Sequence, residues 1–223
     1  GLGGGINNWG TTTAVACTII ENTSRNSGGG VSNKDGALTL TGCTVSGNTA
    51  ENQGGGIDNN LGALIISDSI VTGNAVSGTG LSSPGGGGIH SYGGTVALTS
   101  STISENRSNL IGGGIYSENC DVTLTGCTVS ENLADNDALG NSTGVLGGGI
   151  ASYNGTLTLT QCVVSGNIAD EGGGIYMYSP IRGALRLVDS EISGNQAPRN
   201  NGGGISSYFG MVELVKSVVR QNS

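Results

Sequence analysis

The sequence predicts an all-β solenoid of about eight coils, and three observations favour this fold class. Gly occurs as a triplet at eight places, each followed at once by Ile or Val. An Asn follows each triplet at nearly constant distance. Between these points apolar and polar residues alternate, with the period of a β-strand. The triplets begin at Gly3, Gly28, Gly54, Gly86, Gly112, Gly147, Gly172 and Gly202. The Asn residues are Asn22, Asn48, Asn74, Asn106, Asn132, Asn167, Asn195 and Asn222.

The spacing of these two markers divides each coil into a constant part and a variable part. The offset from triplet to Asn is 20 residues in six of the eight coils, whereas the offset from Asn to the next triplet ranges from 5 to 15. One corner therefore accepts insertions, and we expect 75–85, 133–146 and 196–201 to project from the same edge. The repeat runs without a linker, so residues 1–223 form one domain, expected to be a segment of a longer solenoid or a fibre subunit.

Three short strands are predicted in each coil. The first follows the triplet and begins with an inward Ile or Val. The second carries two inward apolar residues, such as Leu38 and Leu40 around Thr39, and the third carries an Ile or Val three residues before the Asn. No segment has the period of a helix, so parallel pairing must come from coiling of the chain. Crossovers between parallel strands are normally right-handed, which predicts a three-sided, right-handed parallel β-helix.

The Asn and Gly columns are predicted to be structural. We expect the Asn side chains to form a ladder at one corner, with Asn in the left-handed backbone region and the amides bonding one another and the turn carbonyls. The Gly triplets suit places where close backbone approach or a positive φ excludes a Cβ.

Composition limits the partners. The net charge is −8 and the pI about 4.4, which argues against a nucleic-acid partner. No apolar run is long enough to span a bilayer. Residues 1–171 have a charge balance of −10 and residues 172–223 one of +2. Joining Ser223 to Gly1 nearly reproduces the spacing of a coil, so we expect the chain to associate with itself head to tail.

The pairing of Gly-Gly-Gly-Ile with Ile/Val-x-x-Asn in each coil resembles the polymorphic outer-membrane protein repeats of bacterial autotransporter passengers. Those repeats pair a Gly-Gly-Ala-Ile-like motif with Phe-x-x-Asn. The chain is also similar to large secreted bacterial β-helix proteins that carry separate surface-anchoring domains. The resemblance implies an exported rod, extracellular or on the cell surface, that serves adhesion or scaffolding. It implies no catalytic chemistry.

Four of the five cysteines, Cys17, Cys43, Cys127 and Cys162, share a column that is completed by Ser69, Ser101, Ser190 and Ser217. This pattern is typical of small residues packed in a core. Disulfides Cys17–Cys43 and Cys127–Cys162 are conceivable, although in-register parallel side chains have poor vectors for bridging. Cys120 stands apart at a corner. No Cys/His cluster predicts a metal site or a cofactor.

No catalytic residue is predicted, and we expect the protein not to be an enzyme. His90 is the only histidine and lies at an outward position, where we expect a solvated or weakly packed side chain. Of the acidic residues before the ladder Asn, only Glu105 and Glu131 are in neighbouring coils, and a solvated face explains them. The insertion 135–141 resembles half a calcium-binding loop but lacks the closing ligands.

The aromatic residues indicate a second possible function. Trp9 and all six Tyr lie on the strand after the triplet: Trp9, Tyr92, Tyr153, Tyr178 and Tyr208 in one outward column, Tyr116 and Tyr176 in another. Such rings can stack on sugars, so a carbohydrate-binding or polysaccharide-cleaving β-helix is the alternative to the structural rod. The alternative, which the sequence favours over sugar binding, is that the rings stack on one another and stiffen the sheet. Thr-x-Thr pairs such as Thr39 and Thr41 suit an ice-binding face, but Ile65 and Ala97 interrupt that column.

Overall fold

The computed structural model describes residues 3–78, 85–135, 144–181 and 183–223. In these ranges the regular structure is entirely β, and all strand pairs are parallel. Three sheets contain eight strands each, and a fourth contains five. The chain passes through sheets 1, 2, 3 and 4 in turn and then returns to sheet 1 beside its previous strand. The predicted parallel solenoid of eight coils is therefore confirmed.

The strands have nearly the same length in every coil. Sheet 1 consists of Ile6–Asn8, Val31–Lys34, Ile57–Asn60, Ile89–Tyr92, Ile115–Glu118, Ile150–Tyr153, Ile175–Tyr178 and Ile205–Tyr208. Sheet 2 consists of Thr11–Val15, Ala37–Thr41, Ala63–Ser67, Thr95–Thr99, Asp121–Thr125, Leu157–Thr160, Ala184–Val188 and Met211–Val215. Sheet 3 consists of Thr18–Ile20, Thr44–Ser46, Ile70–Thr72, Thr102–Ser104, Thr128–Ser130, Val163–Ser165, Glu191–Ser193 and Val218–Arg220.

Sheet 4 was not predicted. Its strands are Thr23–Ser24, Thr49–Ala50, Ala75–Val76, Arg107–Ser108 and Leu133–Ala134. Each has two residues, too few to show the alternation by which a strand is read from sequence. Sheet 4 follows the ladder Asn and leads into the variable corner.

Alternation along the longer strands builds the core. In Ala37–Thr41 the leucines Leu38 and Leu40 are buried, and the residues between and beside them are half-buried. Burying each leucine contributes about 1.5–3 kcal/mol, and the same positions repeat in register from coil to coil. The core is thus a stack of equivalent apolar layers. In the last coil the corresponding Val212 and Leu214 are exposed.

The predicted asparagine ladder is confirmed. Each Asn Nδ2 donates to the Oδ1 of the Asn in the next coil at 2.9–3.0 Å. The same Oδ1 also accepts the backbone N–H of the first Asn, as Asn132 does from Asn106 at 3.0 Å. The expectation that Asn itself is left-handed is wrong. The residue before it takes that conformation, for example Glu105 with φ 56°. The bend there turns the amide into the interior.

Both reasons given for the Gly triplets are confirmed, at different positions. The first Gly has a positive φ, 66° at Gly28. The second lies against the next coil, because a Cβ on Gly29 would be 2.2 Å from the carbonyl oxygen of Gly55. The triplet therefore combines a left-handed turn with close stacking of backbone on backbone.

The cysteine and serine column lies at the corner between sheets 2 and 3 and forms a second ladder. The backbone N–H of Cys43 donates to Ser69 Oγ at 2.9 Å, and that of Cys127 donates to Cys162 Sγ at 3.4 Å. The sequence predicted the packing of these side chains but not this hydrogen bonding. All five cysteines are free thiols in the structure.

The described flanks of the insertions lie at one corner, as predicted. Val76 and Ala134 belong to sheet 4, and Gln196 pairs with Ile168 in line with it. Gly85 and Leu146 both pair with Ile111, so these segments rejoin the solenoid at equivalent places. Residues 79–84 and 136–143 lie outside the described residues, and with them most of the candidate calcium loop.

Three arginines of residues 172–223 form ion pairs within the chain. Arg186 contacts Glu213 at 2.7 Å, and Arg220 contacts Glu191 at 2.8 Å. Arg199 lies 3.6 Å from the buried Asp170. The pairs Arg186–Glu213 and Arg220–Glu191 lie within residues 172–223, so their charges are already counted in that segment's balance of +2. The head-to-tail association stays a prediction. The described ranges contain no helix that could serve as a membrane span.

Candidate functional site

The outer surface of sheet 1 carries two columns of side chains, from the second and fourth positions of its four-residue strands. The second-position column contains Asn7, Ser32, Asp58, His90, Tyr116, Ala151, Tyr176 and Ser206. The fourth-position column contains Lys34, Asn60, Tyr92, Glu118, Tyr153, Tyr178 and Tyr208. Trp9 follows Ile6–Asn8 and stands at the level of the fourth-position column. The two predicted aromatic columns are therefore real.

The second-position column points away from the core, yet all its side chains except the exposed Asn7 are buried. Tyr116 is 4% exposed and Tyr176 7%, and both pack with Ala151. Ile111 and Leu146, each the residue before a Gly triplet, pack against the same cluster. The prediction that Tyr116 and Tyr176 belong to an exposed face is therefore wrong. Alternation separates inward from outward positions, but it does not show that the corner before the triplet covers one outward column.

The rings of coils 5 to 8 contact one another across coils. Tyr153 lies 5.7 Å from Tyr116, from Tyr176 and from Tyr178, measured between ring centroids. Tyr176 continues to Tyr208 at 6.0 Å, and Tyr178 to Phe209 at 5.6 Å. We call these six rings the aromatic cluster. Interplanar angles of 40–90° indicate edge and tilted contacts, the geometry of self-packing rings.

Part of the cluster is open to solvent. Tyr208 is 41% exposed and Phe209 75%, while Tyr153 and Tyr178 are half-buried. Phe209 was missed in the sequence because it follows the strand, in a left-handed turn with φ 64°. Tyr92 is also exposed, and it lies in the coil before that of Glu118. The seven predicted rings therefore do not form one continuous exposed surface, because some of them are buried.

Trp9 is separate from this cluster. Lys34 and Asn60 occupy the intervening coils, and the Lys34 ammonium lies over the Trp9 ring, 4.7 Å from its centroid. This distance is that of a cation–π contact.

Two carboxylates belong to the aromatic surface. Tyr116 donates its hydroxyl proton to Glu118 Oε2 at 3.2 Å. Tyr208 donates to Glu171 Oε1 at 2.6 Å, and Ser206 donates to the same oxygen at 2.7 Å. Burial first, and then the charge of Glu118, raises the pKa of Tyr116. The hydrogen bond to Glu171 raises the pKa of Tyr208.

His90 is not solvated, contrary to expectation. It is 2% exposed, its Nδ1 lies 2.7 Å from Asp58 Oδ1, and its ring is 5.4 Å from that of Tyr116. The sequence held the signal for this partner, because Asp58 and His90 occupy the same repeat position in adjacent coils. The burial of the pair leaves its imidazole without access to a substrate. In the described ranges no three His, Cys, Asp or Glu side chains are grouped closely enough to hold a metal ion.

A cleft of about 250 Å³ lies at the turns between sheets 1 and 2 in coils 4 to 6. Its lining is mostly polar and includes Asn119, Asp121 and Asn154. Asp121 Oδ1 already accepts the backbone N–H of Thr156 at 3.0 Å. The carboxylate thus closes the turn, and the cleft brings no catalytic pair together.

Comparison with protein-family models matches residues 4–182 to the model described as "Right handed beta helix region". Neither the curated proteins nor the solved structures yield a match to this chain.

Proposed function

The chain belongs to the right-handed β-helix family, and from this premise we propose that it is a structural solenoid displayed outside the cell or on its surface. The family includes both enzymes and non-enzymes, so membership leaves the activity open. The observation that carries the proposal is the unbroken asparagine ladder from Asn22 to Asn222, which joins all eight coils. Eight coils that each add about 4.8 Å give a stiff rod on the order of 40 Å long.

The buried polar groups of the described residues support a scaffold rather than a reaction centre. Asp58 and His90 bond each other out of reach of solvent. Asn8, Asn33 and Asn59 bond one another and the carbonyls of the turns between sheets 1 and 2. These groups hold the coils together, and we propose that the protein is not an enzyme.

The extracellular location rests on the resemblance to autotransporter passengers and secreted β-helix proteins. In that setting the variable corner would present its insertions to partners while the ladder keeps the rod rigid. A fibre subunit, a stalk and an adhesin passenger all fit this arrangement.

Surface display is tested with an epitope tag placed after Val76, at the variable corner. We expect antibody to label intact cells of the source organism and external protease to remove the tag. Labelling that requires cell lysis would overturn the proposal.

The absence of enzymatic activity is tested separately. The purified chain should release no reducing ends from a panel of polysaccharides, and such release would refute the proposal that the protein is not an enzyme.

Carbohydrate binding is the second candidate, and the exposure of Trp9, Tyr92 and Tyr208 favours it. A glycan array with the wild-type chain tests it, with Trp9→Ala and Tyr208→Ala as variants. Loss of a glycan signal in either variant would support it, and an empty array would remove it.

A further inference from the structure

The exposed side of the aromatic cluster, with Glu118 and Glu171, has the chemistry of a surface that binds ammonium groups. We propose that it is a docking surface for an extended, lysine-rich segment of a partner protein. The inference goes beyond the scaffold function and names the kind of partner that this face fits.

The two carboxylates carry the first part of the argument. Glu118 stands between Tyr92 and Tyr153 in the fourth-position column, and Glu171 bonds Tyr208 at the other end of the cluster. No described basic side chain forms an ion pair with either of them. On sheets 2 and 3, by contrast, Glu213 and Glu191 are paired with arginines. The aromatic surface therefore holds negative charge that the described part of the chain does not neutralise.

The chain itself shows how this column holds a cation. In coils 1 and 2 the Lys34 ammonium sits over the ring of Trp9. In coils 5 to 8 the fourth-position column continues with Glu118, Tyr153, Tyr178 and Tyr208. Rings and carboxylate are present there, but the column supplies no lysine. A lysine from a partner would complete the same contact, which is worth about 0.5–1 kcal/mol at an exposed site.

The dimensions favour a chain with several ammonium groups. Glu118 and Tyr208 are three coils apart, roughly 14 Å, and a single cation–π contact reaches only about 6 Å. An extended peptide presents side chains on one face roughly every 7 Å. Lysines at alternate positions could therefore contact successive parts of the face. The net charge of −8 on the whole chain would speed their approach.

The same geometry disfavours a sugar ligand on this face. One sugar can stack on a single ring, but an extended glycan needs several ring faces in a common plane, whereas Tyr178 and Phe209 are at 90° and Tyr153 and Tyr178 at 42°. Rings at such angles form walls around a small cation more readily than a platform for a pyranose.

The test measures fluorescence anisotropy of a labelled peptide of alternating Lys and Thr, with the whole chain, at physiological salt. Glu118→Gln and Glu171→Gln keep an oxygen that accepts the tyrosine hydroxyl and remove the charge. We expect each to weaken binding by up to about fivefold, the loss of one exposed ion pair of at most about 1 kcal/mol. The matched control is Glu131→Gln, which makes the same change of charge at an exposed corner of coil 5 and should change binding less than twofold.

Phe209→Leu tests the ring. Leu61 holds the same turn position with φ 57°, so the turn accepts leucine. We expect severalfold weaker binding, because leucine keeps apolar surface but has no π face. Equal losses in all three Glu variants, or no binding by wild type, would overturn the proposal. Binding of a neutral oligosaccharide on this face, with no peptide binding, would overturn it in favour of the glycan candidate. None of these results depends on the surface-display experiment.

Discussion

At the scale of single residues, each ladder asparagine serves two coils at once. Asn106 donates to Asn132 Oδ1 and to the carbonyl of Val71. Its Oδ1 accepts both the backbone N–H and the side-chain amide of Asn74. Because the residue is fully buried, water cannot replace these partners.

Asn106→Ala should therefore lower the free energy of unfolding by about 3 kcal/mol or more, since each buried group left unbonded costs about 1–3 kcal/mol. Asn222→Ala is the matched control, because it makes the same change at a rung that is partly open to solvent. We expect less than half the loss there. Urea titration followed by far-ultraviolet circular dichroism measures both, and equal losses would contradict the role assigned to burial.

The cysteine and serine column yields a prediction that distinguishes hydrogen bonding from packing. Cys162 Sγ accepts the backbone N–H of Cys127, as Ser190 Oγ does for Cys162 in the next coil at 3.0 Å. Cys162→Ser should change the free energy of unfolding by less than about 1 kcal/mol. Cys162→Ala should lose about 1–3 kcal/mol, because the N–H of Cys127 becomes unbonded. If serine and alanine are equally stable in urea, the column is only packing.

The sequence predicted where these residues lie better than what they do. The place of Asn106 and Cys162 follows from repeat spacing alone. The left-handed residue before each of these columns was not predicted. Gly at six of the sixteen positions, such as Gly42 and Gly47, was a signal for it, but the Glu, Gln, Asp, Ser, Ala and Lys at the other positions are not. The repeat position of Cys120 was overlooked in the sequence. Cys120 occupies a column whose other members are all glycine: Gly10, Gly36, Gly62, Gly94, Gly155, Gly183 and Gly210.

At the scale of the coil, the Gly triplets set how closely successive turns of chain stack. A Cβ on Gly55 would lie 2.4 Å from the carbonyl oxygen of Gly87 and 2.5 Å from the backbone of Ala75. Backbone is held in place from both sides there, so the strain cannot be relieved by a side-chain rotation.

Gly55→Ala should consequently destabilise the fold by several kcal/mol or prevent folding. Gly42→Ala is the matched change, because Gly42 has φ 59° but no atom closer than 3.9 Å. Ala16 occupies the same column with φ 51°, so alanine is accepted there at a cost of about 1 kcal/mol. Thermal unfolding of both variants checks this. A Gly55→Ala protein as stable as Gly42→Ala would show that the coils can separate locally.

The strands were predictable from the sequence, but the burial of one outward-facing column of sheet 1 under a neighbouring corner was not. The alternation around Leu38 and Leu40 specifies which face is inside, and the structure agrees. Burial of Tyr116 and Tyr176 depends on Ile111 and Leu146, which sit at a corner of variable length. A period-2 pattern describes a strand and its two faces, but it holds no information on a neighbouring corner that folds over one of them.

At the scale of the whole molecule, the repeat register was enough to predict the solenoid. Aligning the coils and looking for opposite charges at equivalent positions would also have paired Asp58 with His90. Ion pairs between coils, such as Arg186 with Glu213, are likewise readable from aligned columns. What the register could not supply is solvent access. Tyr208 is exposed and Tyr176 is buried although they lie in adjacent columns, because the corner residues Ile111 and Leu146 pack against the cluster that holds Tyr176.

Buried tyrosines make the stability of the rod depend on alkaline pH. Burial raises the pKa of Tyr116 and of Tyr153 above the usual value near 10. Below pH 10 the hydroxyls are protonated in both folded and unfolded chains, so stability is fully present. Above pH 10 the unfolded chain releases these protons and the folded chain keeps them, so the free energy of unfolding falls as pH rises. Each tyrosine that stays protonated contributes at most about 1.4 kcal/mol per pH unit, less for the half-buried Tyr153 because water screens it.

We therefore expect cooperative unfolding at alkaline pH above 10, with part of the tyrosinate absorbance at 295 nm appearing only as the circular dichroism is lost. Tyr116→Phe should remove one tyrosinate from that late component, because phenylalanine keeps the ring in its contact with Tyr153 and has no proton to release. Glu105→Gln, at an exposed corner, serves as the control that leaves the tyrosines unchanged. Ionisation of all six tyrosines in one reversible step, with the circular dichroism intact, would mean that the aromatic surface opens to water without unfolding the coils.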